Sequence, residues 1–434
     1  MDVVIIGNGI TGITAAITIR KLSKEHQITV ISSESEHFYS RTALMYLFMG
    51  HLQYQHLKPY GDWFWQENNI NLVWGQVRQV DFETRQVKLE DHKVYSYHKL
   101  LLATGSVPQK TGVPGEDLAG IQGFYNLNDL RQMEENTRQV AHALIVGGGL
   151  IGIELAEMLA SRCIPATLLV REGHYWANVL PAQEGALIAR QIAHHGLDLQ
   201  LNTVVKAFEG DGAGRLQAVI TNQGDRIACQ FAGIAIGVKP NISFLATPPL
   251  ATNQGILVNE YLETNMPGVY AAGDCAELQR NPDKPGQVEQ IWYTGRMQGQ
   301  TAAHSICGHK TPYQRGIWFN SAKFFDLEYQ TYGFVPVEPG EAERTLYWQH
   351  ATGDKALRIN FMAQTGAVTG FNLLGIRYRQ EVCEGWIKQK KTISYVLEHL
   401  QTANFDPEFF RRYEREIRKA FTAQLNHLPA FEKA

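Results

Sequence analysis

"VVIIGNGITGITAAITIRKL", residues 3–22, decides how the rest of the chain is read. A short apolar strand runs into glycines at 7, 9 and 12, and an Ala/Ile-rich helix follows. The three glycines serve different ends: a tight turn, close backbone approach to a pyrophosphate, and close packing of helix on strand. The pyrophosphate then sits at a helix N-terminus, where free N–H groups and the helix dipole favour an anion. "ALIVGGGLIGIELAEML", residues 143–159, repeats the design with Gly147, Gly149 and Gly152. One such motif is a weak signal. Two, each following a strand and opening a helix, predict an α/β chain with two Rossmann-like dinucleotide-binding units.

The second strand of such a unit ends in an acid that hydrogen-bonds a ribose. "QITVISSE" ends at Glu34, 22 residues after Gly12, with Ser33 beside it to share the contact. In the second unit "PATLLVREGHYW" puts Val170 where the acid is expected, followed by Arg171 and Glu172. Arg171 suits a 2′-phosphate, whereas Glu172 suits a plain ribose. The two signals conflict and leave NADH and NADPH both open, and a solvated strand-end charge is the plain alternative for Arg171.

Length and composition set bounds. The 434 residues suffice for two to four domains, and 44% hydrophobic with 19% charged residues is an ordinary globular balance. A net charge of −3 carries no field that calls for nucleic acid. The start "MDVVIIGNGI" runs directly into the glycine motif without a basic leader, which reads as cytoplasmic. Cys163, Cys229, Cys275, Cys307 and Cys383 are scattered, with no C-x-x-C and no zinc spacing, so no metal is expected.

Four further stretches carry a resemblance. "YHKLLLATGSVP" (97–108), "TNMPGVYAAGDCAE" (264–277), "GIAIGVKPN" (233–241) and "GQVRQVD" (75–81) stand in the order seen in one superfamily. Over roughly residues 1–335 the chain resembles the pyridine nucleotide–disulfide oxidoreductases, flavoproteins with FAD and NAD(P) domains. The resemblance implies that Ala103, Thr104 and Gly105 form the crossover between these domains. It implies that Gly273 and Asp274 hold the flavin ribitol, Val77 the adenine, and Gly237 the return from the NAD(P) domain. It places the FAD domain at 1–110 and 250–312, the NAD(P) domain at 111–249, and a C-terminal α+β interface domain with a helical tail at 313–434. "KTGVPGEDLAG" (110–120) and "ATPPLATNQG" (246–255) suit the joints. Interface domains of this kind often build a homodimer.

"EHFYSRTALMYL" (36–47) then stands beside the flavin. Tyr39 and Arg41 resemble a Y-x-R whose arginine neutralises the FAD pyrophosphate. Where disulfide reductases of the superfamily carry a redox cysteine, this chain has Thr42, which forms no thiolate. Where the ferredoxin- and rubredoxin-reductase branch carries a lysine, this chain has Tyr46, while the lysine's glutamate partner is kept as Glu154. A hydrogen bond from Tyr46 to Glu154 is the expectation; simple packing of Tyr46 is the alternative. "VEQIWYTGRMQGQTAAHSICG" (288–308) opens a helix with Trp292 and Tyr293 near the flavin, either gating the acceptor side or serving as core. Trp318 and Lys323 are candidate acceptor contacts.

Hydride would pass directly from nicotinamide to flavin, and electrons onward to a ferredoxin- or rubredoxin-like carrier or a diffusible acceptor. Two alternatives stand beside this reading. One is a membrane-peripheral NADH:quinone reductase, the other an NADH-binding redox sensor of the apoptosis-inducing-factor type. The basic stretch "DPEFFRRYEREIRKAF" (406–421) has apolar residues at helical spacing, from Phe409 and Phe410 to Tyr413, Ile417 and Phe421. It can lie on an anionic membrane or pack on the interface domain, with Asp406-Pro407 as its start.

Overall fold

A computed structural model describes residues 1–245, 249–279, 286–406, 408 and 411–428. The joint expected at 246–255 therefore falls partly outside the described residues, as do Pro407, Phe409 and Phe410. The chain divides into two compact units, each assembled from three separate segments.

The first unit comprises Met1–Thr111, Gln122–Gln139 and Ile236–Arg315. Its centre is a parallel sheet in the order Val269–Ala271, Lys99–Leu102, Asp2–Ile6, Gln27–Ser32, Ile70–Trp74. The three strands Val269–Ala271, Lys99–Leu102 and Asp2–Ile6 read as nearly continuous apolar runs because both faces are covered; Val3, Ile5, Leu100, Leu101 and Ala271 are wholly buried, while Trp74 on the edge strand is exposed. Near the end of helix Ile10–Leu22, the Arg20 guanidinium donates to the carbonyls of Ser23, Lys24, His26, Asn68 and Asn69 at 2.7–3.0 Å. That one side chain satisfies acceptors that a helix end and two loops leave open.

Helix Trp292–Ile306 packs on helix Ile10–Leu22 through Thr11. A Cβ at Gly299 would stand 2.4 Å from the Thr11 carbonyl oxygen, and one at Gly295 or Gly273 would stand 2.9 or 2.4 Å from its Oγ1. Only glycine fits at these three places.

The second unit comprises Gly112–Ile121, Val140–Ala235 and Gly316–Ala434. Strands Asp198–Gln200, Ala166–Leu169, Ala143–Val146 and Phe231–Ile234 pair in parallel in that order. Helices Leu150–Ser161 and Ala182–His194 accompany them. An antiparallel sheet follows, ordered Phe319–Phe324, Leu327–Gly333, Val368–Leu374, Ala356–Met362, Glu343–Gln349. The two parallel sheets are the α/β architecture that the paired glycine motifs imply, and the antiparallel sheet with its helices is the α+β region that the resemblance implies.

The tail differs from its sequence reading. The last helix begins at Glu414, not at Asp406, and runs to Leu425. Ile417 and Phe421 are wholly buried in the core of the antiparallel sheet. Trp348 Nε1 donates to Glu416 at 3.1 Å, and Gln424 bonds the backbone of Tyr347 in both directions. The apolar stripe of this helix is thus used inside the fold and is not left for a membrane. No helix among the described residues is long and apolar enough to cross a bilayer.

Candidate functional site

In the first unit a cavity of about 540 Å³ opens at the carboxyl ends of the parallel strands, the place where open α/β sheets bind ligands. Its wall brings together Gly7, Gly9, Ser33, Glu34, Arg41, Thr42, Val77, Ala103, Thr104, Gly105, Asp274 and Trp292. Residues from seven separate stretches of sequence therefore converge on one space. Gly12, in helix Ile10–Leu22, and Gly237 and Gly273 lie outside the wall, and Tyr46 lies off it with its ring stacked on His51 at 6.3 Å.

The glycines of the first motif divide their labour as spacing suggests. Gly7 has φ +112°, and a Cβ there would stand 2.0 Å from the Ala103 carbonyl oxygen. A Cβ on Gly12 would stand 1.9 Å from the carbonyl oxygen of Gly7. Gly9 caps helix Ile10–Leu22, and nothing lies within 4 Å of its Cβ position. The first and third glycines are required by the fold; the second keeps the approach to the helix N-terminus open. A pyrophosphate fits there.

Glu34 and Arg41 form an ion pair at 2.7 Å, and the Tyr39 hydroxyl donates to the same carboxylate. Arg41 also donates to the Tyr125 carbonyl at 2.6 Å, with its guanidinium 4.4 Å from the centre of the Tyr125 ring. Burial works against the charge of Arg41, but Glu34 outweighs it and holds the guanidinium above its ordinary range. Sequence reading gave Glu34 and Arg41 separate roles; the fold makes them neighbours.

Asp274 stands across the wall. Its Oδ2 accepts from Ser106 Oγ at 3.0 Å and from the Tyr125 hydroxyl at 3.4 Å, and Gln290 donates to the same Ser106 hydroxyl at 3.0 Å. Burial raises the Asp274 carboxyl above its usual range, partly offset by Ser106, Arg41 and Tyr125. Burial and the nearby Asp274 push the Tyr125 phenol up to about 12. A carboxylate among hydroxyls in a desolvated wall suits a polyhydroxy chain, so these residues fit the ribitol of FAD. Thr104 Oγ1 donates to the Asn241 carbonyl at 2.8 Å, tying two distant segments of the first unit together.

Tyr125, Asn126 and Asn128 also line the cavity, and the sequence reading missed them. They come from Gln122–Gln139, which belongs to the first unit. A signal was present: Asn126 and Asp129 form a capping box, with Asn126 Oδ1 accepting from Asn128 and Asp129 N–H at 2.8 and 2.9 Å. It marks a helix start, but not where that start lies.

The second unit carries the other motif. Gly147 has φ +125°, a Cβ on Gly152 would stand 2.3 Å from its carbonyl oxygen, and Gly149 again has nothing within 4 Å. The buried Tyr175 hydroxyl donates to the Gly149 carbonyl at 2.9 Å. Arg171 is exposed and pairs with Glu172 at 2.8 Å, while Val170 is wholly buried against Gly148. Glu154 lies on helix Leu150–Ser161, where desolvation and the neighbouring Glu157 push its carboxyl up to about 7. Lys323, a candidate acceptor contact in the sequence, pairs with Glu157 at 3.0 Å.

Comparison with known proteins agrees with this geometry. The chain is 29% identical over 331 residues to "Nitrite reductase [NAD(P)H]" of Bacillus subtilis, covering 75% of this chain and 40% of that enzyme. It therefore spans only two fifths of that relative. It is 30% identical over 286 residues to the rubredoxin-NAD(+) reductase of Acinetobacter baylyi, covering 64% of this chain and 72% of that one. The fold matches a NAD-dependent persulfide reductase from A. fulgidus with a TM-score of 0.85 and 21% identity, over 98% of this chain and 83% of that one. The family model described as pyridine nucleotide-disulphide oxidoreductase matches residues 1–304, and the chain belongs to that family.

Proposed function

We propose that this chain moves electrons from NAD(P)H through FAD to a small redox protein without a protein disulfide. One observation carries the reading: among the described residues no cysteine lines the cavity, and Thr42 stands on its wall. Relatives that act as nitrite and rubredoxin reductases support an electron-transfer role. FAD, when bound, supplies a ring that accepts hydride and passes electrons on.

The chain's own residues hold and orient. The N–H groups behind Gly9 and the Arg41 guanidinium receive the pyrophosphate, Glu34 and Ser33 the ribose, Val77 the adenine, and Asp274 with Ser106 the ribitol. Ala103, Thr104 and Gly105 form the wall between them. Gly147, Gly149 and Gly152 receive the nicotinamide dinucleotide, with Arg171 and Glu172 choosing between its two forms. Trp292, at the first turn of its helix, gates the acceptor side. We further propose a cytoplasmic homodimer built through residues 313–434.

Anaerobic titration with NADH, and separately NADPH, tests this. Uptake of two electrons per FAD, followed by oxidation by rubredoxin or ferredoxin, is expected. Uptake of four would mean that a disulfide takes part and would overturn the reading. Arg171→Ala is expected to slow reduction by NADPH more than reduction by NADH.

A further inference from the structure

Behind the cavity wall, Glu289 is 7% exposed and takes no part in the contacts assigned above. Its Oε2 accepts from the Tyr313 hydroxyl at 2.7 Å and from Gln298 Nε2 at 3.3 Å. Its Oε1 accepts from Arg315 Nη1 at 3.1 Å. Gln298, 1% exposed, turns its other end to the cofactor side: its Oε1 accepts the backbone N–H of Gly273 at 2.7 Å. Gly273 has φ +79°, is seated against Thr11, and directly precedes Asp274.

A carboxamide has one donating end and one accepting end, whereas a carboxylate only accepts. With Glu289 on one side, the Gln298 amide has a single satisfied orientation, NH₂ toward Glu289 and carbonyl toward Gly273. The opposite orientation sets two oxygens together and faces N–H with N–H, leaving buried polar groups unpaired. Removing Glu289 takes away the acceptor for the NH₂ end and leaves the Gly273 N–H alone to orient the amide.

We propose that Glu289 is a positioning residue for the cofactor: through Gln298 it fixes the Gly273 N–H, and with it the direction of the Asp274 carboxylate at the wall. The proposal rests on the assignment of this cavity to FAD. It adds to that assignment a residue that belongs to neither glycine motif nor to the stretch around Asp274. Tyr313 and Arg315 hold the carboxylate from the segment that leaves the first unit.

The test uses the full chain with Glu289→Gln, Glu289→Leu, Gln298→Leu and the double leucine variant. Two readouts are taken: FAD release from the loaded protein, and amide exchange over residues 272–275 in the FAD-free protein. Both leucine variants are expected to release FAD at least about tenfold faster and to exchange faster at Gly273. The double variant should be no worse than the worse single, because the two side chains act in series. Glu289→Gln should fall between, since it keeps an acceptor for Gln298 but can turn N–H groups toward Arg315. Losses that add in the double variant overturn the proposal. So does a Glu289→Leu protein that matches wild type in both readouts, or one whose exchange rises while FAD release does not. If Glu289→Leu fails to fold, unchanged exchange in the isosteric Glu289→Gln overturns it. Wild-type protein that takes up no FAD would refute the cavity assignment instead, while exchange in the FAD-free chain still reads the relay.

Discussion

At the scale of single residues, the three glycines of the first motif separate folding from binding. Gly12→Ala forces a Cβ to within 1.9 Å of the Gly7 carbonyl oxygen, so a stability loss of about 3 kcal/mol is expected in urea unfolding. Gly9→Ala meets nothing, so stability should hold while FAD affinity falls about tenfold or more. A folded Gly9→Ala protein with wild-type affinity would remove the pyrophosphate from this site. Glu154 gives a pH prediction. Its carboxyl, raised from 4.5 to about 7 by desolvation and Glu157, keeps its proton longer in the folded chain than in the unfolded one. The resulting stability is complete below about pH 4.5 and is lost as pH rises through about 7. Tyr175 also faces this group but stays protonated throughout the range. Glu154→Gln should flatten the fall between pH 5 and 7, measured by denaturant midpoints. These glycines were legible because backbone geometry is a local demand. The Glu34–Arg41 pair and the place of Tyr125 were not, because they depend on where loops 7 and 84 residues apart in sequence come to rest.

At the scale of elements, the strands leading into the two glycine motifs were readable from their apolar runs. The tail was read less well. Its helical spacing was real, but whether a stripe of Ile417 and Phe421 faces lipid or core is decided by the sheet available to cover it. A buried link on that sheet is the feature sequence hides most. Arg358, 5% exposed, donates to both oxygens of the wholly buried Glu184 at 2.6 and 2.9 Å, joining strand Ala356–Met362 to helix Ala182–His194. No spacing rule pairs charges 174 positions apart. Arg358→Met should cost about 3–5 kcal/mol, since it strands a buried carboxylate. Combining it with Glu184→Met should restore most of the loss in a double-mutant cycle, and an additive result would mean the two charges do not depend on each other.

At the scale of the whole molecule, neither unit is continuous in sequence, so no single cut yields halves. The cavity, however, is lined entirely by residues of the first unit, whose last segment ends at Arg315. A chain ending at Arg315 removes the antiparallel sheet from the second unit and leaves Glu184 without Arg358. It should still take up FAD, whereas its reduction by NADH should slow at least about a hundredfold, as read by flavin absorbance after anaerobic mixing. Retained rapid reduction would show that the nicotinamide site stands without that sheet.

The seat of Thr11 has a wider meaning. Three glycines from two distant stretches, Gly273, Gly295 and Gly299, close on this one side chain and its carbonyl. The first glycine loop, the turn before Asp274 and the helix opened by Trp292 are therefore not interchangeable modules, however separable they look along the chain. A chimera that borrows one of them from a relative inherits a lock cut for another key. Exchanged as a set of three they should fit, and exchanged singly they should not.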